Sequence, residues 1–136
     1  MDMRYGIDIR GLYNSFAKFH RWDAVCSNGI FKKTGEMYDA FAYRSKEFPK
    51  GPEDPAYWQS IVGQIQKIHP IEADLVPVTS CFGGMAIYNK TSIADCFYDS
   101  IKEDCEHISS HTCAIDKHKM RMYMNPNQMI RYSHYQ

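Results

Sequence analysis

At 136 residues the chain has the length of one ordinary domain, enough for a sizeable core and short for a two-domain enzyme. Its 16 basic and 16 acidic side chains cancel, so the molecule as a whole attracts no polyanion and nucleic acid is not the expected partner. The N-terminus carries Asp2 and Arg4 and no apolar run long enough for a signal peptide or a membrane span, which reads as a soluble, cytoplasmic protein.

The cysteines point the same way. Cys26, Cys81, Cys96, Cys105 and Cys113 are odd in number and contain no C-x-x-C pair, so neither a disulfide framework nor a zinc knuckle is expected. Asn89-Lys90-Thr91 matches a glycosylation sequon, which matters only in a secretory compartment and is read as coincidence.

In chain order, Ile7 and Ile9 read as a short strand end, and Leu12, Phe16 and Phe19 have the spacing of one buried helical face. Trp22 to Val25 reads as a strand, with Ser27-Asn28-Gly29 as its turn. A second turn at Thr34-Gly35 leads to a strand from Met37 to Arg44, with Met37, Asp39, Phe41 and Tyr43 on one face. Asp39 is the odd member of that face: commonly such an Asp bonds the backbone at a strand end, and otherwise it is a polar contact on a pocket floor. Residues 45 to 55, rich in Pro and Gly, predict an exposed loop.

Asp54 and Pro55 then open a helix whose apolar stripe is Trp58, Ile61, Val62, Ile65 and Ile68. Leu75 to Thr79 is strand-like, with Pro77 favouring an edge, and Met85 to Tyr88 follows Gly83-Gly84 as a further, central strand. Thr91 or Ser92 caps a helix with Ile93, Phe97 and Ile101 inward, and another starts near Asp104 with Ile108, Thr112 and Ile115 inward. Met120, Met122 and Met124 alternate as a last strand stopped at Pro126, before a mobile tail. Strands and helices interspersed in this way predict an α/β class, a layered mixed sheet in one domain over 1–136.

The chemistry concentrates between Ser80 and His111. Two glycines running into an apolar stretch allow close backbone approach to a ligand, and Glu106 beside His107 and His111 supplies a base and metal ligands. The plainer alternative is a bulged strand beside a helix with solvated polar residues. His107 and His111 also have the i, i+4 spacing of two zinc ligands, with Cys113 or Glu106 as a third, but the order is not that of a metalloprotease. A Cys-His hydrolase has no local motif to support it.

The order Trp22-Asp23-Ala24-Val25 with Asn28-Gly29, then Tyr38-Asp39 with Ala42 and Arg44, then Ser80 to Tyr88, then Cys105-Glu106-His107 with His111, resembles the acceptor-side half of nucleotide-sugar-dependent glycosyltransferases of the GT-A fold from bacteria and large DNA viruses. The resemblance implies a partial GT-A-like fold without the nucleotide-binding half, a nucleotide-sugar donor, a carbohydrate acceptor, and Mn²⁺ or Mg²⁺. It implies that Asp2 ends an Asp-x-Asp motif and ligates the metal with His107 and His111. Glu106 is then the base, with Asp104 as understudy. Asp39, Arg44, Cys81, Phe82, Gly83 and Gly84 contact substrate. Ile108-Ser109-Ser110 departs from the pattern before His111. The alternative is a carbohydrate-binding or interaction module, or a subunit completing a partner chain.

Overall fold

The structure, a computed structural model, describes residues 7–65, 69–97 and 106–132. Asp2, Ile68, Ile101, Asp104, Cys105 and the tail after residue 132 lie outside the described residues. The described chain is α/β. Helices α1 (Ile9–Ala17), α2 (Pro55–Ile65) and α3 (Glu106–His118) surround a four-stranded mixed sheet of β1 (Ala24–Phe31), β2 (Val76–Pro77), β3 (Ala86–Tyr88) and β4 (Met122–Tyr132). The strand order is β2-β4-β1-β3; β1 and β4 run parallel, while β2 and β3 are antiparallel edge strands. Met85 to Tyr88 is therefore not the central strand. That place belongs to β1 and β4, the two longest runs, and Ala24, Val25 and Cys26 are fully buried in it.

β1 passes straight through Ser27-Asn28-Gly29, where the sequence predicts a turn. Asn28 spends its amide on the carbonyls of Pro126 and His69. Glycine at 29 answers a different need: a Cβ there would meet the Gly83 carbonyl oxygen at 2.5 Å. β4 likewise continues through Pro126. Ser27 pairs with Asn125 but Asn28 with Met129, so Pro126 lies in a bulge that needs no ladder donor.

That bulge seats α1, and it reverses the expected orientation of the helix. Gly11 lies against the Asn127 carbonyl, and the Ser15 hydroxyl donates to Gln128 Oε1 at 2.6 Å while Gln128 Nε2 donates to Ser27 Oγ at 2.7 Å. The buried face of α1 is thus Gly11 and Ser15, and Phe16 and Phe19 are 51% and 67% exposed together with Ile9 and Tyr13. The periodicity is helical as predicted, but the docked face is the small polar one, because only small side chains admit this close backbone approach.

Met37 to Arg44 is not a strand. Met37 makes one bridge to Ile30, Asp39 takes the left-handed conformation (φ 62°), and Ala40–Ala42 form a 3-10 turn. α2 agrees with its sequence: the Asp54 carboxylate accepts from the Tyr57 amide at 3.3 Å, and Ile61 and Ile65 are buried. The segment after β3 is a 3-10 turn, Lys90–Ile93, capped by Asn89 rather than by Thr91 or Ser92, and Phe97 is 81% exposed. α3 buries Ser110, His111 and Ala114, with Thr112 outside.

The cysteine reasoning is corrected as well. Disulfides join Cys26 to Cys81 and Cys96 to Cys113, pairs separated by 55 and 17 residues and so invisible as a local motif. Structural disulfides belong to oxidising compartments, so the cysteines no longer argue for the cytoplasm. Among the described residues no helix is long and apolar enough to cross a membrane.

Candidate functional site

The site begins with the turn after Cys81. The Ser27 amide lies 3.3 Å from the Phe82 carbonyl and 2.9 Å from that of Met85, which straps the turn onto β1 above the Cys26–Cys81 bridge. Gly83 and Gly84 sit at φ 65° and 99°, so the pair forms the turn itself rather than the start of a strand. A Cβ on Gly83 would strike the Ser27 carbonyl, and one on Gly84 would strike the Tyr132 hydroxyl. We expect Gly83→Ala to lose about 2–4 kcal/mol, the sum of a left-handed Cβ and a backbone clash. Gly63→Ala, with nothing within 4 Å on an open face of α2, should gain about 0.5–1 kcal/mol. Equal midpoints for the two variants in urea unfolding would show that Gly83 is not required by packing.

Asp39 arrives from the other side. The Tyr38 amide donates to the Gly29 carbonyl at 2.9 Å, which places Asp39 against β1. It shares with Ser27, Gly29, Tyr38, Phe82 and Gly83 a cavity of ≈ 10 Å³, about the room of one water. Burial, and then the charge of Glu106 at the start of α3, push the Asp39 carboxyl up from 3.8 to about 6, against one backbone hydrogen bond from Ala42. Glu106, far from Asp39 in sequence, thus acts on it through its charge.

This shift has a defined sign. The folded state holds the Asp39 proton more tightly than the unfolded chain, so its stabilising effect is complete below pH 3.8 and lost as pH rises through about 6. Above that range the buried charge weakens the fold by about 1–3 kcal/mol, the lower part of the range reflecting partial solvent contact. Asparagine tolerates the left-handed backbone. Asp39→Asn should therefore melt higher than wild type at pH 7 and converge with it at pH 4; a difference independent of pH would remove the buried charge as its cause.

α3 closes the site with an aromatic column. Phe82 stacks on His107 with centroids 4.5 Å apart, and His107 stacks on His111 at 5.8 Å. His111 is 1% exposed, and both its ring nitrogens are engaged, Nδ1 with the Ser80 hydroxyl at 2.8 Å and Nε2 with the Tyr88 hydroxyl at 2.6 Å. Burial, and then His107, lower its titration to about 3, so it is neutral and structural at ordinary pH. Burial lowers His107 too, opposed by Glu106.

Of the predicted site residues, Asp39, Cys81, Phe82 and Gly83 line the small cavity, Cys81 through its disulfide; Gly84 follows in the turn, His107 stacks on Phe82, and Glu106 bears on Asp39 through its charge. Arg44 does not join them. It is 2% exposed and neither solvated nor substrate-facing: its guanidinium donates to the carbonyls of Phe41 at 2.9 Å and Tyr43 at 2.7 Å and pairs with Glu53 at 3.1 Å, packed on Gly51. Ligation of a metal through either ring nitrogen of His111 would break one of its two hydrogen bonds, and Cys113, in a disulfide, offers no thiolate. Among the described residues no three His, Cys, Asp or Glu gather as a ligand set.

Sequence reasoning missed Tyr132, which stacks on Tyr38 at 3.7 Å and touches Gly84. Only the strand continuing past Pro126 brings it there. A larger cavity of ≈ 660 Å³ against β2 and the end of α2 shares only Tyr43 with the small one. Its rim includes Lys46, Glu47 and His69 and none of the predicted site residues. Comparison with family models, with curated proteins and with solved structures finds no match, and what the site does follows from its own residues.

Proposed function

We propose that this chain is the acceptor-side half of a GT-A-like glycosyltransferase that moves a sugar from a nucleoside-diphosphate sugar to an acceptor hydroxyl. The observation that supports it is the Asp39 carboxyl, which lines the small cavity together with Phe82 and Gly83 and is raised to about 6 by burial and then by the charge of Glu106. In this reading Glu106 takes the proton of the acceptor hydroxyl as its oxygen bonds to the anomeric carbon. The bond from that carbon to the diphosphate oxygen breaks, and the diphosphate leaves with the electron pair. Asp39, partly protonated at neutral pH, both accepts from and donates to a sugar hydroxyl. The backbone at Gly83 and Gly84 lets the ring lie close. The Mn²⁺ or Mg²⁺ implied by the resemblance would take His111 from one of its hydrogen bonds, and no step is routed through it.

A second reading is a carbohydrate-binding module or a subunit completing a partner chain. The exposed apolar side chains Ile9, Tyr13 and Phe16 of α1, with Phe19 just beyond its end, favour it, since such a patch on a partner-free monomer is uncommon. The assay that separates the two is release of nucleoside diphosphate from a panel of UDP-, GDP- and ADP-sugar donors, with free monosaccharides as acceptors. Acceptor-dependent release that Asp39→Asn and Glu106→Gln both abolish supports the enzyme; sugar binding with no release from any donor supports the module.

A further inference from the structure

Asn89-Lys90-Thr91 is the one Asn-x-Ser/Thr triplet of the chain, and it is idle only in a compartment that keeps thiols reduced. The Cys26–Cys81 and Cys96–Cys113 disulfides belong to an oxidising one. The triplet also lies where a modification needs it. β3 ends at Tyr88, and Asn89, Lys90 and Thr91 follow it into the Lys90–Ile93 turn, all three exposed. The backbone of Asn89 is fixed: its amide donates to the Asp23 carbonyl at 2.7 Å, and its carbonyl accepts from the Ser92 amide at 3.0 Å and the Ser92 hydroxyl at 2.7 Å. The side chain is oriented too. Oδ1 accepts from the Thr91 amide at 3.2 Å and the Thr91 hydroxyl at 3.0 Å, which leaves Nδ2 with no acceptor among the described residues. One of the two Nδ2 hydrogens is therefore replaceable without breaking a bond that the fold uses.

We propose that Asn89 is an acceptor site for an N-linked glycan. The co-reactant is a lipid-diphosphate-linked oligosaccharide, supplied with its transferase by the secretory compartment. A bond forms between Nδ2 and the anomeric carbon of the first sugar, and the bond from that carbon to the diphosphate oxygen breaks. The lipid diphosphate leaves with the electron pair, and Nδ2 gives up one proton. The exposed turn carries the bulk of the glycan into solvent. The proposal does not rest on the sugar-transfer reading, since here the chain is the substrate.

The test translates the whole chain behind a cleavable secretory leader in a cell-free extract with microsomes. Chain from which the leader has been removed should migrate one glycan heavier, return to the unmodified mobility with peptide-N-glycosidase, and carry the glycan on the peptide that contains Asn89. Asn89→Gln and Thr91→Ala should each abolish the shift, and Thr91→Ser, which keeps a hydroxyl at that position, should retain it. Transfer takes place as the chain enters the lumen, so a variant that folds poorly still reports. An unshifted band after leader removal, or a shift that Asn89→Gln leaves in place, overturns the inference. The second readout is the protein from its own source, in which Asn89 should be glycosylated and Cys26, Cys81, Cys96 and Cys113 protected from alkylation. Asn89 unmodified there beside protected cysteines overturns the inference alone; Asn89 unmodified beside cysteines that alkylate overturns the oxidising compartment together with it.

Discussion

Glu106→Gln lowers turnover by roughly 10²- to 10⁴-fold while leaving the fold and donor affinity in place, if Glu106 is the base of the proposed transfer. The amide is nearly isosteric with the carboxylate but takes no proton. Glu106 is exposed at the first residue of α3, where the helix dipole favours a negative charge and packing demands little of the side chain. Loss of structure is therefore not the expected consequence. The variant also removes the charge that raises Asp39, so the Asp39 titration should move down from about 6 toward its ordinary range, although burial still holds it up. That shift is readable by carboxyl NMR without any substrate. Loss of donor affinity with turnover per bound donor unchanged would make Glu106 a binding residue, and unchanged turnover would remove it from the mechanism.

Loss of the Cys26–Cys81 bridge, as Cys26→Ala with Cys81→Ala, costs about 4 kcal/mol by the chain-entropy relation for a loop of this length, and the shorter Cys96–Cys113 loop about 3 kcal/mol. The first is the more telling. It joins the central strand to the residue preceding Phe82, Gly83 and Gly84, so its loss loosens the attachment of the turn that faces Asp39. Stability and sugar binding should therefore fall together for the Cys26–Cys81 variant. For Cys96→Ala with Cys113→Ala, whose bridge pins α3 to the segment after the Lys90–Ile93 turn, the loss of stability should exceed the loss of binding. Unfolding midpoints that do not change under a reducing agent would show that neither bridge carries stability.

Several elements were legible in the residue pattern because their determinants are local. Asp54 and Pro55 mark the start of α2, and Ile61 and Ile65 mark its inner face, since capping and a 3.6-residue stripe are properties of a single helix. Pro77 marks an edge strand, because a missing amide is tolerated only where no neighbour needs it. Thr34-Gly35 marks a turn, with Gly35 at φ 70°. Asp39 stands out as a carboxylate among apolar neighbours, Gly83 and Gly84 as a glycine pair before an apolar run, and Glu106 as a carboxylate beside two histidines.

Tertiary structure decided the rest, for reasons of pairing across distance. Which face of α1 docks depended on the bulge at Pro126 and on its Gln128, which Ser15 meets across 113 residues. Whether Asn28-Gly29 turned or continued depended on the Gly83 carbonyl pressing on that glycine and on the parallel partner that β4 provides. The cysteine pairing, the burial of Arg44 behind Glu53, and the place of Tyr132 against Gly84 likewise follow from contacts between distant segments. Helix period, caps and breakers act within a few residues and can be read along the chain; the burial of a given face, the partner of a cysteine and the environment that lifts a carboxyl are set by whatever the fold brings beside them.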